Sequence, residues 1–325
     1  MRKRQPITAV MLALICLAAA GCDRSDAPAA SYEMAAQGVF SAALSSDSEL
    51  SLIGSLNHGG SLWRNTSHER LFGWNHQANE FSPLVAVAFS ADGTRAVTTD
   101  PRTLVVWDTA SGNALAYWTT PAAVLDVALV AGGSQVLMGL EDHSAVLFDA
   151  GSGRHLHTFL HDGVVGAVDA SLDGRWALTG SDDETAVIWN LQTGAPVHRL
   201  QHDNPVRVVA LSARGSYAFT ASQGRRVAVW DGQTGQPLLT LSEHNEGVTS
   251  ARFSADERYL LVGYVNRRVA LWDLSTGKRL HEWRTRARNP MHPTGAAILA
   301  VGFSSSPSRF FALAGDGRLV ELRLS

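Results

Sequence analysis

Ala186-Val187-Ile188-Trp189-Asn190 is the stretch that decides the fold, because it recurs along the chain. It is a β-branched and small-residue run closed by an aromatic and a turn former, which is typical of a buried strand that ends at a turn. Closely similar runs occupy 145–149 (Ala-Val-Leu-Phe-Asp), 227–231 (Val-Ala-Val-Trp-Asp) and 269–273 (Val-Ala-Leu-Trp-Asp). Repetition at a fixed period predicts stacked units that share one core.

The aromatic that closes each run sets the period. Successive positions lie 41 to 44 residues apart and are Trp63, Trp107, Phe148, Trp189, Trp230 and Trp272, with Leu322 closing a seventh run. A glycine turn follows most of them, at Gly112, Gly153, Gly194, Gly235 and Gly277. A second turn lies upstream, as at Asp92-Gly93 and Asp173-Gly174. Two turns in each period predict four short strands per unit.

This combination of spacing, Trp-Asp dipeptide and turns resembles the WD40 repeat, over residues 31–325. The resemblance implies an all-β fold, a seven-bladed β-propeller of the WD40 type. The last unit stops after its third strand, whereas Ser31-Tyr32-Glu33-Met34 has the spacing of a fourth strand. We therefore expect residues near 31–35 to complete blade seven, with Tyr32 in a structural role. That strand would close the ring and remove free sheet edges.

Residues 1–21 have the pattern of an export signal. Arg2, Lys3 and Arg4 precede an apolar run over 7–20, which is too short to span a bilayer comfortably. The small residues before Cys22 resemble the bacterial lipobox, which implies a lipid on Cys22 and a short tether over residues 22–30. Ala19 stands where that family usually has Leu, so a soluble periplasmic protein is the alternative. We expect the propeller to face the periplasm. Asp23, directly after the cysteine, resembles the inner-membrane retention signal of enteric bacteria, which implies the inner membrane rather than the outer.

Charge and motif content exclude several classes of function. The chain has 27 Lys and Arg against 30 Asp and Glu, a net charge of -3, whereas nucleic-acid binding needs a basic surface. Both cysteines lie at or before position 22, so neither links the blades. No HExxH, CxxCH, EF-hand or Walker A motif occurs. We expect no metal, no cofactor, no nucleic acid and a monomeric propeller.

The resemblance also implies a structural hydrogen-bond network in the blades. One blade matches all four family positions, with His161, Thr179, Asp183 and Trp189. His161 and Asp183 resemble a catalytic pair, but their repeat positions favour a structural role, and we expect no catalytic residues. The other blades match in part: Pro101 stands at the Asp position of blade two, and Gly224 at that of the blade containing His202.

Loop charges give the one functional asymmetry. In WD40 propellers, the loops between the second and third strands and between blades share the usual binding face. Here blades three and four place acidic residues there, at Glu141, Asp142, Asp182, Asp183 and Glu184. Blades five to seven place a basic arc there, formed by Arg225, Arg226, Arg267, Arg268, Arg284, Arg286, Arg288 and Arg318. We expect this arc to bind an acidic protein segment or anionic lipid headgroups, a solvated surface being the alternative.

These observations predict a non-catalytic interaction scaffold, tethered to a membrane and bound to a protein partner of the cell envelope. The alternative is a propeller enzyme, lactonase or quinoprotein-like, acting at the channel mouth. Such an enzyme needs converging acids, histidines or metal ligands there. The first-strand positions at the mouth are mostly small or apolar, with Asp126 and Arg207 as exceptions.

Overall fold

The computed structural model describes residues 25–35, 38–55, 58–77, 80–223, 227–241, 247–286, 288 and 296–324. They form seven four-stranded antiparallel sheets arranged as the blades of a propeller, which confirms the predicted all-β, seven-bladed fold. The helical element is one short 3₁₀ turn, Ala131–Gly133. No helix in the described part of the chain is long and apolar enough to cross a membrane.

Blades 1 to 6 take their strands in chain order, from an inner strand at the channel to an outer strand at the rim, whereas blade 7 takes its outer strand from the N-terminal end. Blade 1 contains β2 (Ser41–Leu44), β3 (Leu50–Ser55), β4 (Gly59–Arg64) and β5 (Glu69–Trp74). Blade 2 contains β6 (Ala86–Phe89), β7 (Arg95–Thr99), β8 (Thr103–Asp108) and β9 (Ala114–Thr119). Blade 3 contains β10 (Val124–Val130), β11 (Gln135–Leu140), β12 (Ser144–Asp149) and β13 (His155–Leu160). Blade 4 contains β14 (Val165–Ala170), β15 (Trp176–Ser181), β16 (Thr185–Asn190) and β17 (Pro196–Gln201). Blade 5 contains β18 (Val206–Leu211), β19 (Tyr217–Ser222), β20 (Val227–Asp231) and β21 (Pro237–Leu241). Blade 6 contains β22 (Val248–Phe253), β23 (Tyr259–Tyr264), β24 (Arg268–Asp273) and β25 (Lys278–Arg284). Blade 7 contains β26 (Ile298–Phe303), β27 (Arg309–Ala314), β28 (Arg318–Arg323) and, from the N-terminal end, β1 (Ala30–Glu33).

The closing strand lies where the repeat spacing predicts it. β1 pairs antiparallel with β28, with Ser31 opposite Val320 and Tyr32 opposite Leu319. The Tyr32 ring stacks on His68 of blade 1, with 3.6 Å between ring centroids. The last blade is therefore completed by the beginning of the propeller and contacts the first blade through this aromatic pair.

The hydrophobic cores lie between blades. Trp189 of blade 4 is 5 % exposed and packs in one cluster with Leu147 and Phe159 of blade 3. The rings of Phe159 and Trp189 are 5.0 Å apart. A blade therefore buries its aromatic only when its neighbour is present. In repeat folds generally, the interfaces between neighbouring units supply much of the stability.

The turn between the third and fourth strands needs glycine for two reasons. Gly153 has φ 68°, a left-handed conformation that side chains rarely adopt. A Cβ at this position would also lie 2.5 Å from the Trp118 ring of the preceding blade. Trp118 donates its indole N–H to the carbonyl of Ala150 in the same turn, at 2.8 Å. This turn is therefore a contact between neighbouring blades.

The residues before β1 lie along blade 6. The N–H of Asp26 donates to the carbonyl of Glu282 at 2.9 Å, and the N–H of Arg284 donates to the carbonyl of Asp26 at 3.0 Å. The Asp26 carboxylate is 2.8 Å from Nε2 of His281. From Asp26 onward, the residues expected to form part of a tether over 22–30 therefore contact the propeller.

The aromatic pair between the last and first blades gives a testable prediction. Tyr32→Ala removes the stacking on His68 and part of the contact between blades 7 and 1, so we expect a loss of about 1–3 kcal/mol in the free energy of unfolding. Urea denaturation followed by tryptophan fluorescence measures it. Ser31→Ala, at an exposed position of the same strand, is the control, and equal stabilities of the two variants would contradict the closure.

Candidate functional site

His161, Thr179, Asp183 and Trp189 come together inside blade 4. Nδ1 of His161 is 2.8 Å from the Asp183 carboxylate, and Nε2 is 2.7 Å from the Thr179 hydroxyl. The Trp189 indole N–H donates to the same hydroxyl oxygen at 2.8 Å. These hydrogen bonds connect the second and third strands of the blade to the segment that enters its first strand.

The protonation states follow from burial. Burial lowers the pKa of His161, and the Asp183 carboxylate offsets this only in part. A neutral ring that donates from Nδ1 to Asp183 accepts at Nε2 from Thr179. Burial acts to raise the pKa of Asp183, but hydrogen bonds from Thr185 and His161 outweigh it and hold that pKa below its usual value.

A Thr–His–Asp sequence of hydrogen bonds has the order of a nucleophilic triad. Thr179, however, is fully buried, and its oxygen accepts the Trp189 N–H. A nucleophile must reach a substrate carbon, and this hydroxyl lies inside the blade. The arrangement therefore stabilises the blade and leaves the hydroxyl no access to a substrate.

Blade 2 contains a second network, which sequence analysis missed. His76 lies 2.6 Å from the Thr103 hydroxyl and 2.9 Å from the Thr98 hydroxyl, and Trp107 donates to Thr98 at 2.9 Å. Asp100 is 3.4 Å from Nδ1 of His76. Reading Pro101 as the residue that replaces the aspartate is therefore wrong. Thr98 and Trp107 are nine positions apart, against ten for Thr179 and Trp189. The aspartate of blade 2 follows its threonine by two positions, whereas Asp183 follows Thr179 by four.

Blade 5 has three of the four groups. His202 lies 2.9 Å from the Thr220 hydroxyl, to which Trp230 donates at 2.7 Å. Gly224, at the aspartate position, lies outside the described residues.

The predicted basic arc separates into paired and exposed side chains. Arg268 is buried, with its guanidinium 2.6 Å from the Glu282 carboxylate and 5.0 Å from the Tyr264 ring centroid. Arg318 pairs with Asp316 at 2.7 Å. These two guanidinium groups are paired with partly buried carboxylates of the protein itself, whereas the sequence led us to expect both on the binding surface.

The remaining members of the arc have different surroundings. Arg288 is 2.9 Å from the Glu33 carboxylate, so it connects the segment before blade 7 to the closing strand. Arg284 and Arg286 are exposed, and Arg267 is half-buried in the turn before β24. Arg225, Arg226 and the predicted lipidation residue Cys22 lie outside the described residues.

The acidic residues lie on the same face, in blades 3 and 4. Glu141, Asp142 and Glu184 are exposed in the turns before β12 and β16. Glu184 has φ 67° and Arg267, at the equivalent position of blade 6, has φ 71°, so both residues adopt the left-handed conformation. We call this surface, formed by the turns between second and third strands and by the connections between blades, the loop face.

The central channel has a volume of about 1110 Å³ and is lined by the inner strands of the blades. Asp126 accepts the N–H of Val127 and that of Val168 in the next blade, both at 2.9 Å. Asp169 accepts the N–H of Leu211 in blade 5 at 2.7 Å. Arg252 donates to the carbonyl of Leu44 in blade 1 at 2.8 Å. Asp126 is recognisable in the sequence as a polar residue near the channel mouth, whereas no motif or repeat position marks Asp169 or Arg252.

Burial dominates the titration of these channel groups. It raises the pKa of Asp126 to about 7, with a contribution from the nearby Asp169 carboxylate, and the pKa of Asp169 to about 6. Burial lowers the pKa of Arg252. Among the described residues, no group of three or more His, Cys, Asp or Glu side chains is placed to hold a metal ion.

Comparison with known families divides the chain in two. A family model described as outer membrane protein assembly factor BamB matches residues 47–214, just over half of the chain. A model described as Vps8 beta-propeller matches residues 215–325. No curated protein matches the chain. Both families agree with the propeller that the strands form.

The raised pKa of Asp126 predicts a pH-dependent stability. Between about pH 4 and pH 7 the folded protein holds a proton on Asp126 that the unfolded chain has released, so this group's contribution to stability falls as the pH rises through that window, by up to about 1.4 kcal/mol per unit. Asp126→Asn should therefore lose less stability than the parent between pH 5 and 7.5 in urea titrations. Asp203→Asn, at an exposed site, is the control, and an unchanged pH slope for Asp126→Asn would contradict the prediction.

Proposed function

Since this chain belongs to the family of propellers described as outer membrane protein assembly factor BamB, we propose that it is a non-catalytic scaffold of the bacterial cell envelope. It is tethered to a membrane and binds a protein partner. The observation that carries the proposal is the loop face, where exposed charges of opposite sign occupy different sectors of one rigid ring. Such a distribution steers and orients a charged partner more than it supplies the full affinity.

Two sectors of the loop face contribute. Glu141, Asp142 and Glu184 form the acidic sector in blades 3 and 4, and Arg267 and Arg286 lie in the basic sector of blades 6 and 7. The turns that present Glu184 and Arg267 lie between adjacent strands of one blade, so their charges are held in place before a partner arrives. Preorganised groups lose less entropy on binding.

The buried polar groups support a role without catalysis. His161, Thr179 and Asp183 are hydrogen-bonded within blade 4, and each of the channel carboxylates Asp126 and Asp169 accepts two backbone N–H groups. Groups with this many internal partners serve packing. The His–Thr–Asp–Trp networks of blades 2 and 4 also support a WD40-type propeller within the wider family.

The N-terminal sequence supports export and a lipid anchor on Cys22, with the propeller on the periplasmic side. Asp23 after the cysteine favours the inner membrane, whereas the family description favours a role at the outer membrane. Separation of the two membranes on a density gradient, followed by detection of the protein, decides between them.

Site-specific photo-crosslinking in the native envelope tests the scaffold. A photoreactive residue at Arg267 or at Glu184 should give an adduct with one and the same protein, because both lie on the loop face. Arg175, exposed in the turn of blade 4 on the opposite face, is the matched control and should give none. Adducts at Arg175 alone, or no protein adduct at Arg267 and Glu184, would contradict the proposal.

A further inference from the structure

The segment that follows the predicted lipid is fixed to one place on the ring. Asp26 forms a parallel bridge with Trp283 of β25, with backbone hydrogen bonds to Glu282 and Arg284. From there the chain continues to Ala29, whose N–H donates to the carbonyl of Glu321 at 2.9 Å, and into β1. The chain therefore approaches the propeller at the outer edge of blade 6.

That edge is also the most basic part of the rim. β25 carries Lys278, Arg279 and Arg284 against Glu282, a net charge of two positive. The other six outer strands range from one negative charge, in β1, to one positive charge, in β17.

The outward positions of β25 combine basic and apolar groups. Lys278 and Arg284 are exposed, and Leu280 between them is 48 % exposed. Glu282 on this side is paired with Arg268 and Arg279, so its charge is neutralised. Trp283 donates to the carbonyl of Arg323 at 3.0 Å, which brings the exposed Arg323 and Leu324 next to this strand. Cationic groups around exposed leucines suit the headgroup region of an anionic bilayer.

We propose that the outer edge of blade 6, centred on Lys278, Leu280 and Arg284, rests on a membrane surface containing anionic lipid headgroups; this rests on the proposed lipid at Cys22. The length of chain between anchor and ring supports it. Four residue steps separate Cys22 from Asp26, a reach of at most about 14 Å. A compact domain of this size has a radius of gyration of about 19 Å, so the opposite rim lies beyond that reach. The loop face then stands at an angle to the bilayer and stays open to a protein partner.

Fluorescence quenching on the mature lipoprotein tests this orientation. Signal cleavage removes Cys16 and lipidation blocks the Cys22 thiol, so an introduced cysteine is the single free thiol. Leu280→Cys on the blade 6 edge and Leu115→Cys on blade 2 are matched, since both occupy the same repeat position and are about equally exposed (48 % and 51 %). Each is labelled with a fluorophore and placed in phosphatidylglycerol-containing vesicles that carry a headgroup quencher. We expect quenching at 280 to exceed quenching at 115 several-fold, and equal quenching would overturn the proposal.

Charge reversal separates the headgroup contact from the tether alone. Lys278→Glu with Arg284→Glu should lower the quenching at 280, because each Lys or Arg near an anionic surface contributes about a fivefold preference for it. Arg154→Glu, at the repeat position of Lys278 but in blade 3, should leave it unchanged. If the double reversal has no more effect than Arg154→Glu, the headgroup contact is overturned.

Mass spectrometry of the same preparation distinguishes failure of the proposed membrane orientation from failure of the proposed tethered scaffold. An acylated protein with equal quenching at both labels overturns the orientation and leaves the tethered scaffold standing. A protein without acyl chains that stays in the supernatant overturns the tether, and the orientation with it.

Discussion

The pairing of β1 with β28 is the contact on which the rest of the propeller depends. Each hydrophobic core is shared by two neighbouring blades, as Trp189 and Phe159 show, so an open series of blades would leave an apolar face uncovered at each end. The ladder between β1 and β28 joins those two ends. Tyr32 stacks on His68 at the rim, and Arg252 reaches the carbonyl of Leu44 in blade 1 at the channel. The ring is thus closed at its outer and inner radius.

The buried polar groups of this ring form hydrogen bonds within blades and between neighbouring blades. Asp126 and Asp169 each take an N–H from the inner strand of the next blade, and the raised pKa values of both carboxyls reflect the free-energy cost of that burial. Nearer the loop face, His161 and His76 each form buried hydrogen bonds that connect segments of one blade. The charges of the exposed turns and of the rim are unevenly distributed around the ring.

The repeat made the number of blades and the closing strand predictable. The sequence shows an aromatic every 41 to 44 residues and, near Tyr32, a segment with the spacing of a fourth strand. The site was less predictable. The aspartate of blade 2 follows its threonine by two positions and that of blade 4 by four, so alignment of the repeats placed Pro101, not Asp100, at the aspartate position. Alternation along β24 did not reveal that Arg268 meets Glu282 of the next strand. The bridge at Asp26 uses backbone groups, which leave no side-chain pattern to read.

Native-state hydrogen exchange tests the closure of the ring most directly. The N–H of Met34, just after β1, donates to the carbonyl of Gly317 at 2.9 Å. If the closing strand holds the ring together, this amide and those of β28 should exchange only through global unfolding, with the same protection as the amides of β16 in blade 4. Rapid exchange at Met34 and β28 while β16 stays protected would show that the seven blades stand without the closing strand, and would contradict the account.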